Sequence, residues 1–150
     1  MSTLFDKIIS GEIPSWTIWE DDDYLAFLTP FGNTPGASVV IPKRNLGDYV
    51  FDLEPSDYSG LMTASKTVAK LLEKAFNTPR VALVFEGTGV AHVHAKLYPL
   101  HGKLAAETEV WSSHQEFYPE YIGYISTVEG PKMADDELTR TQQQIIEANK

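Results

Sequence analysis

The chain has 150 residues, the size of one ordinary domain, and 43% of them are hydrophobic, which is enough for a core. This composition argues against a disordered chain. Its formal net charge of -9 argues against broad electrostatic binding to nucleic acid or anionic lipid, although local dipoles can still hold one phosphate. The sequence has no cysteine, no signal-peptide pattern and no apolar run of about 18 residues, so we expect no disulfide, no membrane span and a cytoplasmic location.

The first third of the chain predicts one short helix and three strands. Gly11 and Pro14 break the helix, and the acidic run at 21–23 makes a turn between two strands. Pro42 ends the third strand, which is rich in β-branched residues. The predicted elements are, in order, a helix or turn over 3–10 and strands over 16–20, 24–29 and 37–41.

The middle of the chain predicts a long helix and a further pair of strands. Ser56 is a candidate N-cap for a helix that runs to about Phe76, with apolar residues three and four apart facing a core. Two strands follow over 80–85 and 90–97, joined by a loop at 86–89. These elements predict an α+β fold in which an antiparallel sheet carries one long helix.

The last third changes character and is expected to extend the same domain. Residues 103–130 are aromatic and irregular, whereas 135–149 predict a weakly amphipathic terminal helix. A tail of about 40 residues is short for a second domain. We therefore divide the chain into a domain over 1–106 and an aromatic C-terminal extension over 107–150 that packs on it. The aromatic residues expected to pack this extension are Trp111, Phe117, Tyr118, Tyr121 and Tyr124.

The segment that carries chemistry is the predicted strand over 90–97. Because strand side chains alternate between faces, His92, His94 and Lys96 are expected to project from one face. Two imidazoles and an ammonium can bind phosphate there, and a neutral imidazole can attack phosphorus. The same pattern also fits an ordinary solvated face, or a metal site completed by a third ligand. The candidates for that third ligand are His101 and His114.

The motif and its surroundings resemble the histidine triad family. That family carries Gly-x-x-Val-x-His-x-His-x-His-x-x-Pro, and residues 87–99 here read GTGVAHVHAKLYP. Residues 4–30 are similar to the family's typical N-terminus, and 33–36 with 39–44 are similar to its middle strand. Because the resemblance spans residues 3–101 in the right order, it favours the functional interpretation over the solvated face.

The resemblance implies a fold, an activity and partners. Family members are antiparallel sheets with a long helix, usually paired as homodimers, and they cleave dinucleoside polyphosphates, nucleoside phosphoramidates and acyl-adenylates. The central motif histidine, here His94, attacks the α-phosphorus, and water hydrolyses the resulting nucleotidyl-histidine. The implied partners are a nucleotide substrate and a second copy of the chain, without nucleic acid, membrane or cofactor, although a divalent cation can accompany the substrate phosphates.

The resemblance also gives roles to residues around the nucleophile. The position that assists the leaving group falls near Gly89, and Thr88 is the nearest hydroxyl. Thr29 stands where an acidic residue commonly holds the ribose. His92 and Lys96 complete the catalytic candidates. The other nucleotide-binding candidates are Phe5, Ile8, Phe27, Asn45 and Gly89, of which the three bulky apolar residues can equally be ordinary core.

Several positions depart from the family pattern. Lys96 replaces the third motif histidine, and Asn45 replaces a histidine that usually follows the Pro-Lys-x segment. The cysteines that bind zinc in some members are absent, and Leu4 and Asp6 lie in that region. A lysine can still bind phosphate through its charge. The missing helpers leave open a catalytically impaired nucleotide-binding sensor or interaction protein. The two histidines at strand spacing leave open a strand-based metal protein.

Overall fold

The computed structural model describes residues 1–107, 109 and 132–150, and its framework is a five-stranded sheet in the order β1-β2-β3-β5-β4. All four strand pairings are antiparallel, which confirms the predicted α+β class. The elements are α1 (Leu4–Ile9), β1 (Trp16–Glu20), β2 (Tyr24–Leu28), β3 (Ser38–Pro42), a 3₁₀ turn (Val50–Asp52), α2 (Pro55–Phe76), β4 (Val81–Val84), β5 (Ala95–Pro99), α3 (Lys103–Ala106) and α4 (Asp135–Ala148).

The central strands bury side chains on both faces of the sheet. On one face, Phe27 of β2 and Val39 of β3 pack with Phe5 of α1. On the other face, Ala95 and Leu97 of β5 belong to the core that includes α2. Since side chains alternate along a strand, Lys96 between these two residues faces the α1 side. The candidate site is therefore on the α1 face, while α2 supports the sheet from behind.

The two principal helices begin in different ways. At α1, Thr3 Oγ1 accepts a hydrogen bond from the Asp6 N–H (3.1 Å) and Asp6 Oδ2 accepts one from the Thr3 N–H (2.8 Å), a reciprocal capping box. At α2 the predicted N-cap Ser56 is wrong, because Pro55 is already the first helical residue and Glu54 is the cap. Proline suits that position because its missing N–H would have no helical partner.

The strand that bears the motif begins later than predicted, at Ala95 instead of residue 90. Gly87 and Gly89 have φ values of 71° and 89°, which turn the chain between β4 and β5. The Val93 N–H then donates to Gly47 O (2.6 Å), so this segment bonds to the loop after β3 and not to β4. His92 and His94 consequently lie in a loop before the strand, and only Lys96 is within it.

The C-terminal helix α4 packs against α2 and β1. Leu138 and Ile145 are buried in the α2-side core, and Gln142 Nε2 donates to Thr17 O (2.9 Å). The short helix α3 corrects the expectation of irregular structure at its position. The predicted aromatic packing residues and His114 lie outside the described residues, and the division of the chain at residue 106 stays a prediction.

No helix in the described part of the chain is long and apolar enough to cross a membrane.

Candidate active site

A cavity of about 530 Å³ opens on the α1 face of the sheet, a size suited to a small-molecule ligand. Its walls come from α1, β2, β3, the loop between β4 and β5, and the segment that precedes α4. Much of the lining is apolar, and hydrophobic walls with a few placed polar groups are typical of binding sites. The polar and charged lining residues include Thr29, Glu86, Thr88, His94, Lys96 and Lys132.

His94 is a buried residue with one edge on this cavity. Only 4% of its surface is exposed, and its ring stands edge-on to Phe5 with centroids 5.2 Å apart. Its Nδ1 donates to the backbone carbonyl of His92 at 2.7 Å. Since a carbonyl oxygen can only accept, Nδ1 carries the proton, and Nε2 of the neutral ring holds the lone pair.

Burial lowers the pKa of His94 below its usual value, because the low-dielectric surroundings penalise the imidazolium. The nearby Lys96 ammonium lowers this pKa further. The hydrogen bond to the His92 carbonyl and the Glu86 carboxylate act in the opposite direction without reversing the shift. His94 is therefore neutral at physiological pH, as expected of a nucleophile.

His92 supports the loop and does not line the cavity, which corrects its predicted place on a face shared with His94 and Lys96. Its ring is fully buried, and Nε2 donates to Pro42 O at 2.8 Å. Its Nδ1 lies 3.5 Å from Asp6 Oδ1. Nε2 thereby ties this segment to the end of β3, and the backbone carbonyl fixes His94, whereas the buried Nδ1 makes no hydrogen bond within the described residues.

Lys96 reaches the cavity already paired with a carboxylate. Its Nζ lies 3.2 Å from Glu86 Oε1, and Thr88 Oγ1 donates to Glu86 Oε2 at 3.3 Å. The pairing follows from the sheet register, in which Val84 of β4 is opposite Lys96, so the loop after β4 passes over it. Sequence reasoning gave Glu86 no role, although it is the first residue of the predicted loop at 86–89.

Five of the predicted nucleotide-binding residues line the cavity. Thr29 is among them, and its Oγ1 also accepts a hydrogen bond from the Phe31 N–H (3.2 Å). The binding roles of these residues stay predictions. The other four are Phe5, Ile8, Phe27 and Gly89.

Asn45 does not line the cavity. Its Nδ2 donates to Ala91 O at 3.3 Å, and its Oδ1 accepts from the Gly47 N–H at 3.1 Å. These bonds join the loop after β3 to the loop that holds the two histidines. Asn45 is thus placed to hold the loop that bears His92 and His94.

Two further residues show how the C-terminal parts of the chain relate to the site. Lys132 lines the cavity, because the Met133 N–H donates to Pro30 O (2.8 Å) and anchors this segment there; sequence reasoning did not find it. His101, in contrast, lies against Phe76 and donates from Nε2 to Pro35 O (2.9 Å), away from the cavity lining. Within the described residues, no group of three or more His, Asp or Glu side chains is arranged to hold a metal ion.

Comparisons with known proteins agree with this architecture. The HIT domain family matches residues 10–102. The chain is 30% identical over 136 residues to "Protein hit" of Bacillus subtilis, covering 87% of this chain and 94% of that protein. It is 56% identical over 87 residues to adenylylsulfatase HINT1 of Arabidopsis thaliana, covering 57% and 51%.

The fold comparison leads to the same family. A crystal structure of a HIT family member from Bacillus subtilis superposes with a TM-score of 0.63 at 28% identity, covering 76% of this chain and 84% of that one. Since the family match includes all five strands, the chain belongs to the HIT domain family, the histidine triad family that its motif resembles.

Proposed function

We propose that this protein cleaves a nucleoside phosphate derivative at its α-phosphorus through a covalent intermediate on His94. The observation that carries the proposal is the hydrogen bond from His94 Nδ1 to the His92 carbonyl. This bond leaves the Nε2 lone pair available on a ring that borders a cavity of ligand size. The lowered pKa of His94 keeps that lone pair unprotonated at neutral pH.

The reaction has two steps at the same phosphorus atom. In the first, a bond forms from His94 Nε2 to phosphorus, and the bond to the leaving group breaks, with its electron pair departing on the leaving group. The ring then carries positive charge, which the His92 carbonyl at Nδ1 stabilises. In the second step, water attacks phosphorus, and the bond to Nε2 breaks with its electron pair returning to the ring, which releases a nucleoside monophosphate. The attacking water gives a proton to solvent, and this balances the proton that the departed leaving group takes from solvent.

The other lining residues supply binding and positioning. Phe5, Ile8 and Phe27 offer an apolar wall suited to a flat base. Lys96 offers an ammonium for phosphate oxygen, and Thr88 offers a hydroxyl nearby, since both groups contact Glu86. We expect no cofactor, and a divalent cation that accompanies substrate phosphates stays a prediction.

The relatives support the same class of chemistry. One of them is named an adenylylsulfatase, a name that denotes an enzyme acting on adenylyl sulfate. Family membership also supports a homodimer with a nucleotide ligand, and we retain the expectation of a cytoplasmic protein without a nucleic-acid partner.

A second candidate function is nucleotide binding without turnover. The observation that favours it is that two predicted helpers are engaged elsewhere, Lys96 with Glu86 and Asn45 with the backbone of neighbouring loops. A protein of this kind would retain the cavity and its apolar wall while lacking the groups that complete catalysis.

A substrate panel separates the two functions. Purified protein is incubated with adenosine 5′-phosphoramidate, adenylyl sulfate and diadenosine polyphosphates, and released AMP is measured by chromatography. We expect AMP from at least one substrate and a loss of at least about a thousandfold in His94→Ala, as for other nucleophile deletions. His101→Ala, a histidine outside the cavity, is the matched control and should retain activity. AMP binding without turnover of any substrate would select the binding function instead.

A further inference from the structure

We propose that Glu86 is a specificity-determining residue that disfavours ligands with several negative charges, so that the leaving group displaced in this site carries little charge. The proposal rests on the proposed function in one respect, the entry of a substrate phosphate beside His94. It goes beyond that function because it selects among its possible substrates.

The Lys96 ammonium, the cation nearest His94 in the sequence motif, already makes an ion pair with Glu86. Lys96 Nζ lies 3.2 Å from Glu86 Oε1, and the two side chains are only 19% and 25% exposed. Solvent screens such a pair less than it screens a surface ion pair. A phosphate that contacts Lys96 must share this ammonium with the carboxylate or displace it.

The same carboxylate also engages the neighbouring hydroxyl. Thr88 Oγ1 donates to Glu86 Oε2 at 3.3 Å, so both Glu86 oxygens are bonded to groups that could serve a phosphate. Carboxylate and phosphate oxygens compete for the same donors, and charged acceptors make the stronger bonds. Glu86 therefore engages the two donors that an anionic ligand in this cavity would need.

The charged groups around the cavity can compensate one phosphate better than several. Among the described residues, Glu86, Lys96 and Lys132 are the charged side chains of the cavity lining, and His94 joins them only in acid, because its pKa is lowered. Lys132 is itself 3.6 Å from Asp135 Oδ1 and mostly exposed. The sequence from 108 to 131 contains no Lys or Arg and so can add no such cation.

A polyanion consequently has little to compensate its charge. One phosphate can be accommodated at Lys96, whereas each further phosphate meets the Glu86 carboxylate and the field of a chain with net charge -9. An ester or anhydride with a neutral or singly charged leaving group avoids this penalty. Because Glu86 acts on ligands through its charge, its removal should not change the affinity for an uncharged nucleoside.

The test measures binding of three ligands that differ in charge. Adenosine, AMP and ATP are titrated calorimetrically into wild type, Glu86→Gln and Glu147→Gln, with chelator present to remove divalent cations. Glu147 is the matched control, because it lies on α4 outside the cavity and pairs with Lys150. We expect wild type to bind AMP more tightly than ATP. In Glu86→Gln, the Kd for ATP divided by the Kd for AMP should fall by about tenfold, equivalent to about 1.4 kcal/mol in favour of ATP. Adenosine binding should be unchanged.

Two further variants separate the charge of Glu86 from its size and fold. Glu86→Asp retains the charge and should retain the wild-type ratio, and Glu86→Ala removes the charge by a different side chain if the glutamine variant does not fold. Tighter binding of ATP than of AMP by wild type, or an unchanged ratio in both charge-removing variants, would overturn the proposal. So would weaker AMP binding in those variants, since Glu86 would then merely position Lys96.

The outcome is separable from that of the proposed function. Binding ratios are measured without turnover, so charge discrimination can hold even if His94→Ala still releases AMP, which would refute the covalent mechanism alone. An unchanged ratio together with His94-dependent turnover would refute the charge discrimination alone.

Discussion

Among single residues, the protonation state of His94 depends on the hydrogen bond at Nδ1 and on the burial of the ring. Nδ1 is fixed by a backbone carbonyl, and burial lowers the pKa of the ring. Since the neutral form attacks, kcat/KM should fall only on the acid side, through an apparent pKa below about 6.5. Lys96→Met should raise this pKa, and Glu86→Gln should lower it. The measurement is a pH–rate profile for each variant, and activity that increases as His94 becomes protonated would show that it acts as an acid.

Lys96 gives a second prediction at this scale. Lys96→Met removes a cation and leaves Glu86 without its ion-pair partner, so kcat/KM should fall by about tenfold or more. Lys96→His should keep part of the activity, because imidazolium can supply some of the charge. Lys70→Met is the matched control, since Lys70 pairs with Glu73 on the exposed side of α2. Unchanged kcat/KM in Lys96→Met would reduce Lys96 to a structural ion-pair residue.

Residues of the site were predictable where the signal was local. His94 and Lys96 are two positions apart in one motif, and both line the cavity. Glu86 was missed because its contact depends on the register of β4 against β5, which residue spacing does not reveal. His92 was misplaced because the strand was predicted to begin five residues too early.

At the scale of elements, most helices and strands lie within one or two residues of their predicted bounds, because apolar periodicity and turn residues are local signals. The loop before β5 was not predictable in this way. Its path is set by the Val93 bond to Gly47, a partner that is distant in sequence. The start of α2 was displaced because Pro55 favours the first helical position more strongly than Ser56 favours the cap.

The start of α1 supports a prediction about stability. The backbone hydrogen bond from Thr3 lowers the pKa of Asp6, so the charged carboxylate stabilises the fold above about pH 3.8 and this contribution is lost as pH falls through the lowered pKa. Asp6→Asn should therefore reduce the free energy of unfolding at pH 7, and the deficit should shrink in acid. Urea unfolding at several pH values measures it, with the exposed turn residue Asp22→Asn as control. A deficit independent of pH would mean that charge does not stabilise the capping box.

At the scale of the whole molecule, the absence of cysteine bears on metal content. Structural zinc sites are usually built from cysteine and histidine, and the described residues contain no cluster that replaces them. We expect chelator-washed protein to contain less than one zinc ion per chain by elemental analysis. One tightly held zinc ion per chain would contradict this and revive the interpretation as a metal protein.

The covalent mechanism is tested most directly by trapping its intermediate. Excess protein is mixed with a substrate labelled at the α-phosphorus, denatured rapidly at alkaline pH, and digested to locate protein-bound label. The account predicts transient label on His94, which disappears as AMP is released, and neither label nor turnover in His94→Ala. Label on a different residue, or undiminished AMP release by His94→Ala, would contradict it.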